Sequence, residues 1–151
     1  MSVLYEATTN ATGGRAGHVL SEDGPIDMAL SVPKSMGGDD GQGVNPEQLF
    51  GAAYAACFGG ALQAVVGIEK LDIDVSQISV DATIGFCKDE DGFFLEATLD
   101  CYIPDVDTKT GEQLVNDAHQ MCPFSRATQD NITVTLNLLL DCCLLYTSPS
   151  P

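Results

Sequence analysis

Hydrophobic and polar positions alternate along several short stretches of this chain, and each such stretch predicts a β-strand. The expected strands cover residues 3–9, 18–20, 26–32, 76–86, 93–103 and 132–138. Residues 88–92 (KDEDG) predict a hairpin turn between two of these strands. The glycine-rich run 12–17 predicts a tight turn with a permissive backbone, and residues 36–44 predict a loop.

A long helix is predicted after this loop. Asn45 is a favourable N-cap, Pro46 suits the first helical position, and Glu47 places a negative charge in the first turn. The helix is expected to continue to Lys70. It is almost uncharged before Glu69, so we expect it to be buried on nearly all sides. Its many Ala and Gly residues would allow another helix to approach closely.

A second, amphipathic helix is predicted over residues 110–121, with Thr110 as its cap. Its inward residues are expected to be Leu114, Val115, Ala118 and Met121. Pro123 should end or restart this helix. The order of strands, long helix, hairpin, helix and strand indicates an α+β domain.

The end of the chain fits this pattern poorly. From residue 139 the sequence abandons the strand period and finishes in Ser and Pro. We therefore expect one domain over residues 1–138 and an atypical tail over residues 139–151, of vector or read-through origin. The alternative is a genuine extension that packs somewhere.

Composition narrows the classes of function. Of the 151 residues, 44% are hydrophobic, which is enough for a core, and the net charge is −16. Such a charge disfavours binding to nucleic acid or anionic membranes. The longest apolar window, residues 57–68, is too short to span a bilayer, and the N-terminus does not resemble a secretory signal. We therefore expect a soluble, cytoplasmic protein.

The six cysteines are then expected to be thiols in a reducing compartment. The chain has no C-x-x-C motif and only two histidines, His18 and His119, so we expect no metal site. Cys57 lies in the middle of the long helix, where a thiol is usually a core residue. A reactive thiolate needs a nearby cation, and the only arginines are Arg15 and Arg126.

The other cysteines carry weaker signals. Cys122 precedes Pro123 at a helix junction, where backbone N–H dipoles favour a thiolate, although a core role explains it equally well. Cys87 and Cys101 fall on the hairpin strands, where we expect packing or surface roles. Cys142 and Cys143 lie in the doubtful tail and receive no role. His119 on the second predicted helix is an alternative candidate base for Cys57, with a structural role as the competing interpretation.

Six segments together resemble organic hydroperoxide resistance proteins of the OsmC/Ohr superfamily. They are LYxAT (residues 4–8), TGGR (12–15), NPEQLF (45–50), ACF (56–58), AHxxCPFSxAT (118–128) and NIxV (131–134). The segments follow the order and spacing of the family from residue 4 to about 138. Phe124 stands where the family commonly has tyrosine, which is a conservative change.

The resemblance implies an OsmC-like fold, with antiparallel sheets around a long buried central helix, in an intertwined homodimer. It implies a peroxidase that detoxifies organic hydroperoxides by reducing them to alcohols, with Cys57 as the peroxidatic and Cys122 as the resolving cysteine. These two would form a redox-active disulfide. Arg15 would stabilise the thiolate, and Glu47 would hold Arg15. No cofactor is expected to be bound, and the reductant would be an external dithiol, the dihydrolipoyl group of a lipoylated protein.

The physics agrees with these roles. Charge moves from sulfur to the leaving oxygen during attack on a peroxide, and one fixed guanidinium can serve both ends. An apolar wall would favour an alkyl or fatty-acyl hydroperoxide over hydrogen peroxide. The candidate wall residues are Leu49, Phe50, Tyr54, Phe58 and Phe124; ordinary core packing is the alternative for all five.

The helical spacing of Glu47 and Cys57 suggests a site shared by two chains. They are ten positions apart on one helix, roughly 15 Å along its axis. We therefore expect Cys57 from one chain to meet Arg15 and Glu47 of another; a distorted helix or a far-reaching Arg15 is the alternative. Two other functions stay open: a thiol enzyme of the OsmC branch with other substrates, and a non-catalytic redox-sensing or binding dimer.

Overall fold

The α+β class is confirmed by a computed structural model that describes residues 1–141. Residues Met1–Leu49 form one unit, and the residues from Phe50 onward form a second. The strands are β1 Thr9–Thr12, β2 His18–Ser21, β3 Asp27–Ala29, β4 Ser79–Lys88, β5 Phe93–Tyr102 and β6 Thr133–Leu139, and the helices are α1 Pro46–Ile68, α2 Thr108–Met121 and α3 Pro123–Thr128.

The predicted tail is only partly covered by this description. Leu139, its first residue, is the last residue of β6. Cys142 and Cys143 lie outside the described residues. The assignment of one domain and a foreign tail therefore stays a prediction.

The first unit holds an antiparallel sheet in the order β1-β2-β3. Its first turn is the predicted glycine-rich one. Gly13 and Gly14 have φ of 78° and 60°, a left-handed conformation that side chains disfavour. A Cβ on Gly17 would lie 1.7 Å from the carbonyl oxygen of Thr12, so only glycine fits there. The turn thus presents Arg15 from a backbone that few other sequences can adopt.

The strand predicted over residues 3–9 is wrong in this chain, because β1 begins only at Thr9. Val3, Leu4 and Tyr5 are all largely exposed to solvent. An extended segment becomes a strand only when its backbone groups find a partner strand, and β1 pairs with β2 from Thr9 onward. Alternation of side chains cannot reveal whether such a partner exists.

The second unit holds a sheet in the order β4-β5-β6. The predicted hairpin is confirmed, since Lys88 pairs with Phe93 across the β4–β5 turn. The expectation of antiparallel sheets is wrong for the last strand, because β6 runs parallel to β5. A parallel pair needs a crossover connection, which α2 and α3 supply between the two strands.

Helix α1 begins as predicted. Asn45 accepts a hydrogen bond on its side chain from the Gln48 N–H at 2.8 Å, while the Gln48 side chain accepts from the Asn45 N–H at 3.0 Å. This reciprocal pair is a capping box and satisfies two N–H groups that the helix leaves free. The helix ends at Ile68, two residues earlier than expected, and Lys70 adopts a left-handed conformation with φ of 55°.

Only one face of α1 is buried, so the expectation of burial on nearly all sides is wrong for the single chain. The buried residues are Gly51, Tyr54, Phe58, Ala61, Leu62, Val65 and Val66. The opposite face carries a stripe of small exposed residues, namely Ala53, Ala56, Gly60 and Ala64. Burial within this chain therefore explains the lack of charged residues on only one face of α1.

Helix α1 is also long and apolar enough to cross a bilayer by length and composition alone. The expectation that no segment reaches that length is therefore wrong, because it ignored the apolar residues before Cys57. The buried face of α1 belongs to the hydrophobic core of the second unit, where Phe58 and Leu62 are fully buried beside Leu99 of β5.

Helix α2 begins two residues before the predicted start. Its cap is Asp107, whose side chain accepts from the Thr110 N–H at 2.8 Å, so the assignment of Thr110 as cap is wrong. Leu114, Val115 and Ala118 are buried as predicted, but Met121 is 44% exposed. The helix ends at Met121, and the chain turns there before the core can cover that side chain.

Candidate active site

Cys57 and Cys122 are brought together in the second unit. Their Sγ atoms lie 3.6 Å apart, and both thiols are free. Cys122 is 0% exposed, whereas Cys57 is only half-buried. An S–S bond is about 2 Å long, so a shift of about 1.6 Å would join the two sulfurs. The pair is thus arranged for disulfide formation, with one sulfur accessible and the other covered.

Cys122 stands at the junction where α2 ends and α3 begins. Its N–H donates to the Ala118 carbonyl at 2.8 Å and closes α2, while its own carbonyl accepts from the Arg126 N–H at 3.0 Å and opens α3. Pro123 has no N–H to donate, so it fits the first position of α3 and cannot continue α2. The local sequence therefore forces a turn at this cysteine.

The surroundings of Cys57 disfavour its charged form. Burial raises the pKa of the thiol above its ordinary value, and the neighbouring Cys122 raises it further. A hydrogen bond with the Phe124 backbone acts in the other direction and lowers the pKa. Because the reactive form of a thiol is the thiolate, a reaction at Cys57 would need a cation to offset the two effects that raise its pKa.

Four of the five predicted wall residues form one aromatic cluster around Tyr54. Its ring centroid lies 6.0 Å from that of Phe50, 6.5 Å from Phe58 and 5.8 Å from Phe124. Tyr54 and Phe58 are fully buried, while Phe50 and Phe124 are half-buried. Leu49, the fifth wall residue, is half-buried in the first unit. Contact of these residues with a substrate stays a prediction.

Sequence reasoning missed the hydroxyl groups beside this cluster. The Tyr54 hydroxyl lies 3.0 Å from Ser125 Oγ and 3.3 Å from Thr128 Oγ1, and Thr128 Oγ1 donates to the Ser125 carbonyl at 3.0 Å. Ser125 and Thr128 are both buried. Both residues belong to the AHxxCPFSxAT segment that carries the family resemblance, where they stand three positions apart after Pro123.

His119 packs beside Phe58 of α1, with the ring centroids 6.5 Å apart. Its Nδ1 is buried and, among the residues that the structure describes, has no hydrogen-bond partner. The weak alternative of His119 as the base for Cys57 therefore receives no support from a hydrogen bond at this atom.

The remaining described cysteines have the packing roles that the sequence predicted. Cys101 is fully buried on the core side of β5, and burial raises its pKa to about 12. Cys87 is half-buried near the end of β4, and burial together with the nearby Glu96 carboxylate raises its pKa. Neither thiol has the electropositive surroundings of a reactive cysteine.

Arg15 and Glu47 are brought together in the first unit. The guanidinium donates from Nη2 to Oε1 at 2.7 Å and from Nη1 to Oε2 at 3.0 Å, a bidentate pair. The Arg15 hydrogen bonds hold the pKa of the Glu47 carboxyl below its ordinary value, and Glu47 in return raises that of Arg15. Glu47 is nearly covered, with 13% of its side chain exposed, while Arg15 is 39% exposed. The carboxylate thus fixes a guanidinium that still reaches solvent.

Comparison with known proteins yields a consistent set of relatives. Residues 37–137 match the family model described as OsmC-like protein. The chain is 46% identical over 136 residues to the organic hydroperoxide resistance protein of Xanthomonas axonopodis pv. citri, covering 90% of this chain and 95% of that one. It is 43% identical over 138 residues to OhrB, an organic hydroperoxide resistance protein of Bacillus subtilis, covering 89% and 98%.

Solved structures agree with the fold. The crystal structure of an organic hydroperoxide resistance protein from Legionella pneumophila has a TM-score of 0.86 at 36% identity, covering 92% of this chain and all of that chain. One from Elizabethkingia anophelis has a TM-score of 0.87 at 39% identity, covering 93% and 100%. The match to the family model ends at residue 137, within β6.

Proposed function

The chain belongs to the family of OsmC-like proteins, and from this premise we propose that it is a two-cysteine thiol peroxidase that reduces organic hydroperoxides to alcohols. Its relatives' names support a role in the detoxification of organic peroxides. The observation that carries the proposal is the Cys57–Cys122 contact at 3.6 Å, with a half-buried sulfur beside a fully buried one.

The reaction begins at Cys57, the accessible sulfur. The Cys57 thiolate attacks one peroxide oxygen, the O–O bond breaks, and the leaving alkoxide takes a proton and departs as the alcohol. Cys57 is then a sulfenic acid, oxidised by two electrons. Arg15, held by Glu47, is the group that would favour the thiolate and the developing alkoxide charge. The aromatic cluster would favour an alkyl or fatty-acyl chain on the peroxide.

Cys122 completes the oxidation. Its sulfur attacks the sulfenic sulfur, the S–O bond breaks, and the hydroxyl leaves as water with the Cys122 proton. The resulting disulfide returns to two thiols when an external dithiol, which we assign to the dihydrolipoyl group of a lipoylated protein, takes up the oxidation. No bound cofactor enters this cycle, which we place in the cytoplasm.

We propose that the site requires two chains, because Glu47, which binds Arg15, lies far from Cys57 along the same helix. Glu47 and Cys57 both lie on α1, roughly 15 Å apart along its axis at 1.5 Å per residue. The small-residue stripe of α1 and the exposed apolar residues Val3, Leu4 and Tyr5 are surfaces that a second copy would cover. A homodimer would join Cys57 of one chain with Arg15 of the other.

The deciding experiment is mass mapping of the reduced protein after one equivalent of cumene hydroperoxide. We expect a Cys57–Cys122 disulfide within seconds, none in Cys57→Ser, and a sulfenic acid at Cys57 in Cys122→Ser. Cys87→Ser is the matched control, because that thiol lies on β4 and should leave the product unchanged. Unreacted thiols at both positions would refute the peroxidase and favour a non-catalytic redox-sensing dimer.

A rate comparison separates the peroxidase from an OsmC-branch enzyme with other substrates. The proposal predicts a higher second-order rate constant for cumene hydroperoxide than for hydrogen peroxide, because the apolar wall contacts only the organic group. Equal rate constants would remove the substrate assignment while leaving the thiol chemistry intact.

A further inference from the structure

Three hydroxyl side chains form a buried polar island in the apolar core of the second unit. They are Tyr54 of α1 and Ser125 and Thr128 of α3, with exposed fractions of 0%, 2% and 4%. We call this group the hydroxyl clamp. A buried polar group costs stability unless its hydrogen bonds are made, so the arrangement of the hydrogens matters.

Every hydroxyl hydrogen in the clamp has an acceptor. Thr128 donates to the Ser125 carbonyl. Ser125 can then donate to Tyr54, and Tyr54 to Thr128, across distances of 3.0 and 3.3 Å. This assignment satisfies all three donors in one continuous chain of hydrogen bonds, in which each bond polarises the next. The clamp is therefore a bonded unit that links α1 to α3.

The clamp stands beside both reactive sulfurs. Tyr54 lies three positions before Cys57 on α1, close to one helical turn. Ser125 lies three positions after Cys122 and directly follows Phe124, whose backbone hydrogen-bonds Cys57. The two segments that carry the sulfurs are thus joined at a second point, which fixes how far one can slide along the other.

We propose that the hydroxyl clamp is a positioning device for disulfide formation, which holds Cys122 at reacting distance from Cys57. Apolar packing alone is not directional, whereas hydrogen bonds fix distance and angle. This inference rests on the proposed function. Tyr54, Ser125 and Thr128 act through the cysteines and do not themselves exchange protons with the peroxide.

The clamp matters because two reactions compete for the Cys57 sulfenic acid. Cys122 converts it to a disulfide with loss of water, while a second hydroperoxide molecule oxidises it to sulfinic acid and releases a second alcohol. The first reaction is intramolecular, so its rate depends on the distance and alignment of the two sulfurs. A displacement of about 1 Å can cost as much as a hundredfold in such a step.

The test measures the ratio of Cys57 sulfinic acid to Cys57–Cys122 disulfide at a fixed excess of cumene hydroperoxide. Tyr54→Phe and Thr128→Val remove one clamp hydroxyl each with little change of shape. We expect each to raise this ratio about tenfold or more. Thr128→Ser keeps the hydroxyl and should stay near the wild-type ratio. Tyr102→Phe removes a phenolic hydroxyl from β5 and is the matched control.

Thermal unfolding of each variant separates positioning from stability. A lower Tm with an unchanged product ratio in Tyr54→Phe and Thr128→Val would overturn the inference, as would equal ratios for Thr128→Val and Thr128→Ser. Absence of any Cys57 oxidation in the wild type would instead refute the proposed peroxidase. In that event, disulfide formation by diamide still tests the clamp, with slower closure expected in Tyr54→Phe.

Discussion

The Cys57–Cys122 pair and the Arg15–Glu47 pair are held in place by different physical means. The sulfurs lie in an apolar core, fixed by aromatic packing and by neutral hydrogen bonds. The ion pair lies on a glycine turn and a helix start, with the guanidinium 39% exposed. The cysteine pair has the geometry for redox chemistry, and its surroundings oppose the thiolate. The ion pair has the positive charge that a thiolate needs.

In the proposed cycle, this difference makes thiol activation and disulfide formation separable steps that depend on different residues. Burial around Cys57 serves the sulfur–sulfur contact and raises the pKa of the attacking thiol. The cation that we propose to offset this rise, Arg15, is held in place by Glu47. Variants in the two regions should therefore fail at different steps of the cycle.

The largest effect is expected from Arg15→Ala. Loss of the guanidinium should slow peroxide reduction roughly 10²- to 10³-fold, the usual cost of a removed electrostatic stabiliser. Disulfide formation by diamide should slow less than peroxide reduction, because diamide also needs the Cys57 thiolate but releases no alkoxide for the guanidinium to stabilise. Stopped-flow kinetics with cumene hydroperoxide and diamide would measure both. Equal losses with the two oxidants would show that the regions are not separable.

Subunit mixing tests whether Arg15 of one chain serves Cys57 of another chain. In the proposed homodimer, Cys57→Ser and Arg15→Ala should each be nearly inactive alone, and a dimer of one chain of each should regain about half of the wild-type activity, because one of its two sites would be complete. Co-refolding followed by a peroxidase assay measures the recovery. If Arg15 served the Cys57 of its own chain, the heterodimer would stay inactive.

The exposure difference within the cysteine pair predicts where the reducing dithiol attacks. Cys57 is half-buried and Cys122 is 0% exposed, so the mixed disulfide should form at Cys57 with about tenfold or greater preference. Oxidised protein treated with a monothiol, quenched in acid and mapped by mass spectrometry would locate the adduct. An adduct mainly at Cys122 would mean that the oxidised site opens before reduction.

The smallest effect concerns Glu47→Gln. The neutral amide should loosen Arg15 and lower activity several-fold, while the loss in stability should stay under about 1 kcal/mol because the pair is partly exposed. The pKa of Glu47 is lowered in the folded state, so the pair stabilises above the ordinary value of 4.5 and loses that contribution as pH falls through the folded pKa.

Thermal unfolding of wild type and Glu47→Gln at a series of acidic pH values would measure how the contribution of the Arg15–Glu47 pair to stability depends on pH. The difference in Tm should be constant above pH 4.5 and shrink as the solution becomes more acidic. A difference that grows on acidification would contradict the lowered pKa and the role of Arg15 as its cause.

The sequence predicted the elements whose signals are local. The start of α1 at Pro46 and the hairpin between β4 and β5 depend on cap and turn residues that act within a few positions. The exposed face of α1, the late start of β1 and the parallel pairing of β6 depend on partners far along the chain or outside it. Periodicity contains no information about such partners.

The candidate site divides in the same way. The motif resemblance predicted four site residues, and the structure places them in two contacting pairs, Cys57 with Cys122 and Arg15 with Glu47. Ser125 and Thr128 were missed, because a hydroxyl residue in a short helix usually faces water. Their burial is visible only once α3 is seen to pack beside Tyr54.

The parallel pairing of β5 with β6 sets the order in which this chain can fold. The β4–β5 hairpin is local and can form early, whereas β6 must close a loop of about 30 residues before it gains a hydrogen bond. Cys122 lies inside that loop, and its contact with Cys57 spans 65 positions. A nascent chain can thus have its hairpin before Cys122 is in place beside Cys57. In the proposed cycle, peroxide that reached Cys57 at that stage would meet no partner sulfur, and the sulfenic acid would be open to irreversible oxidation.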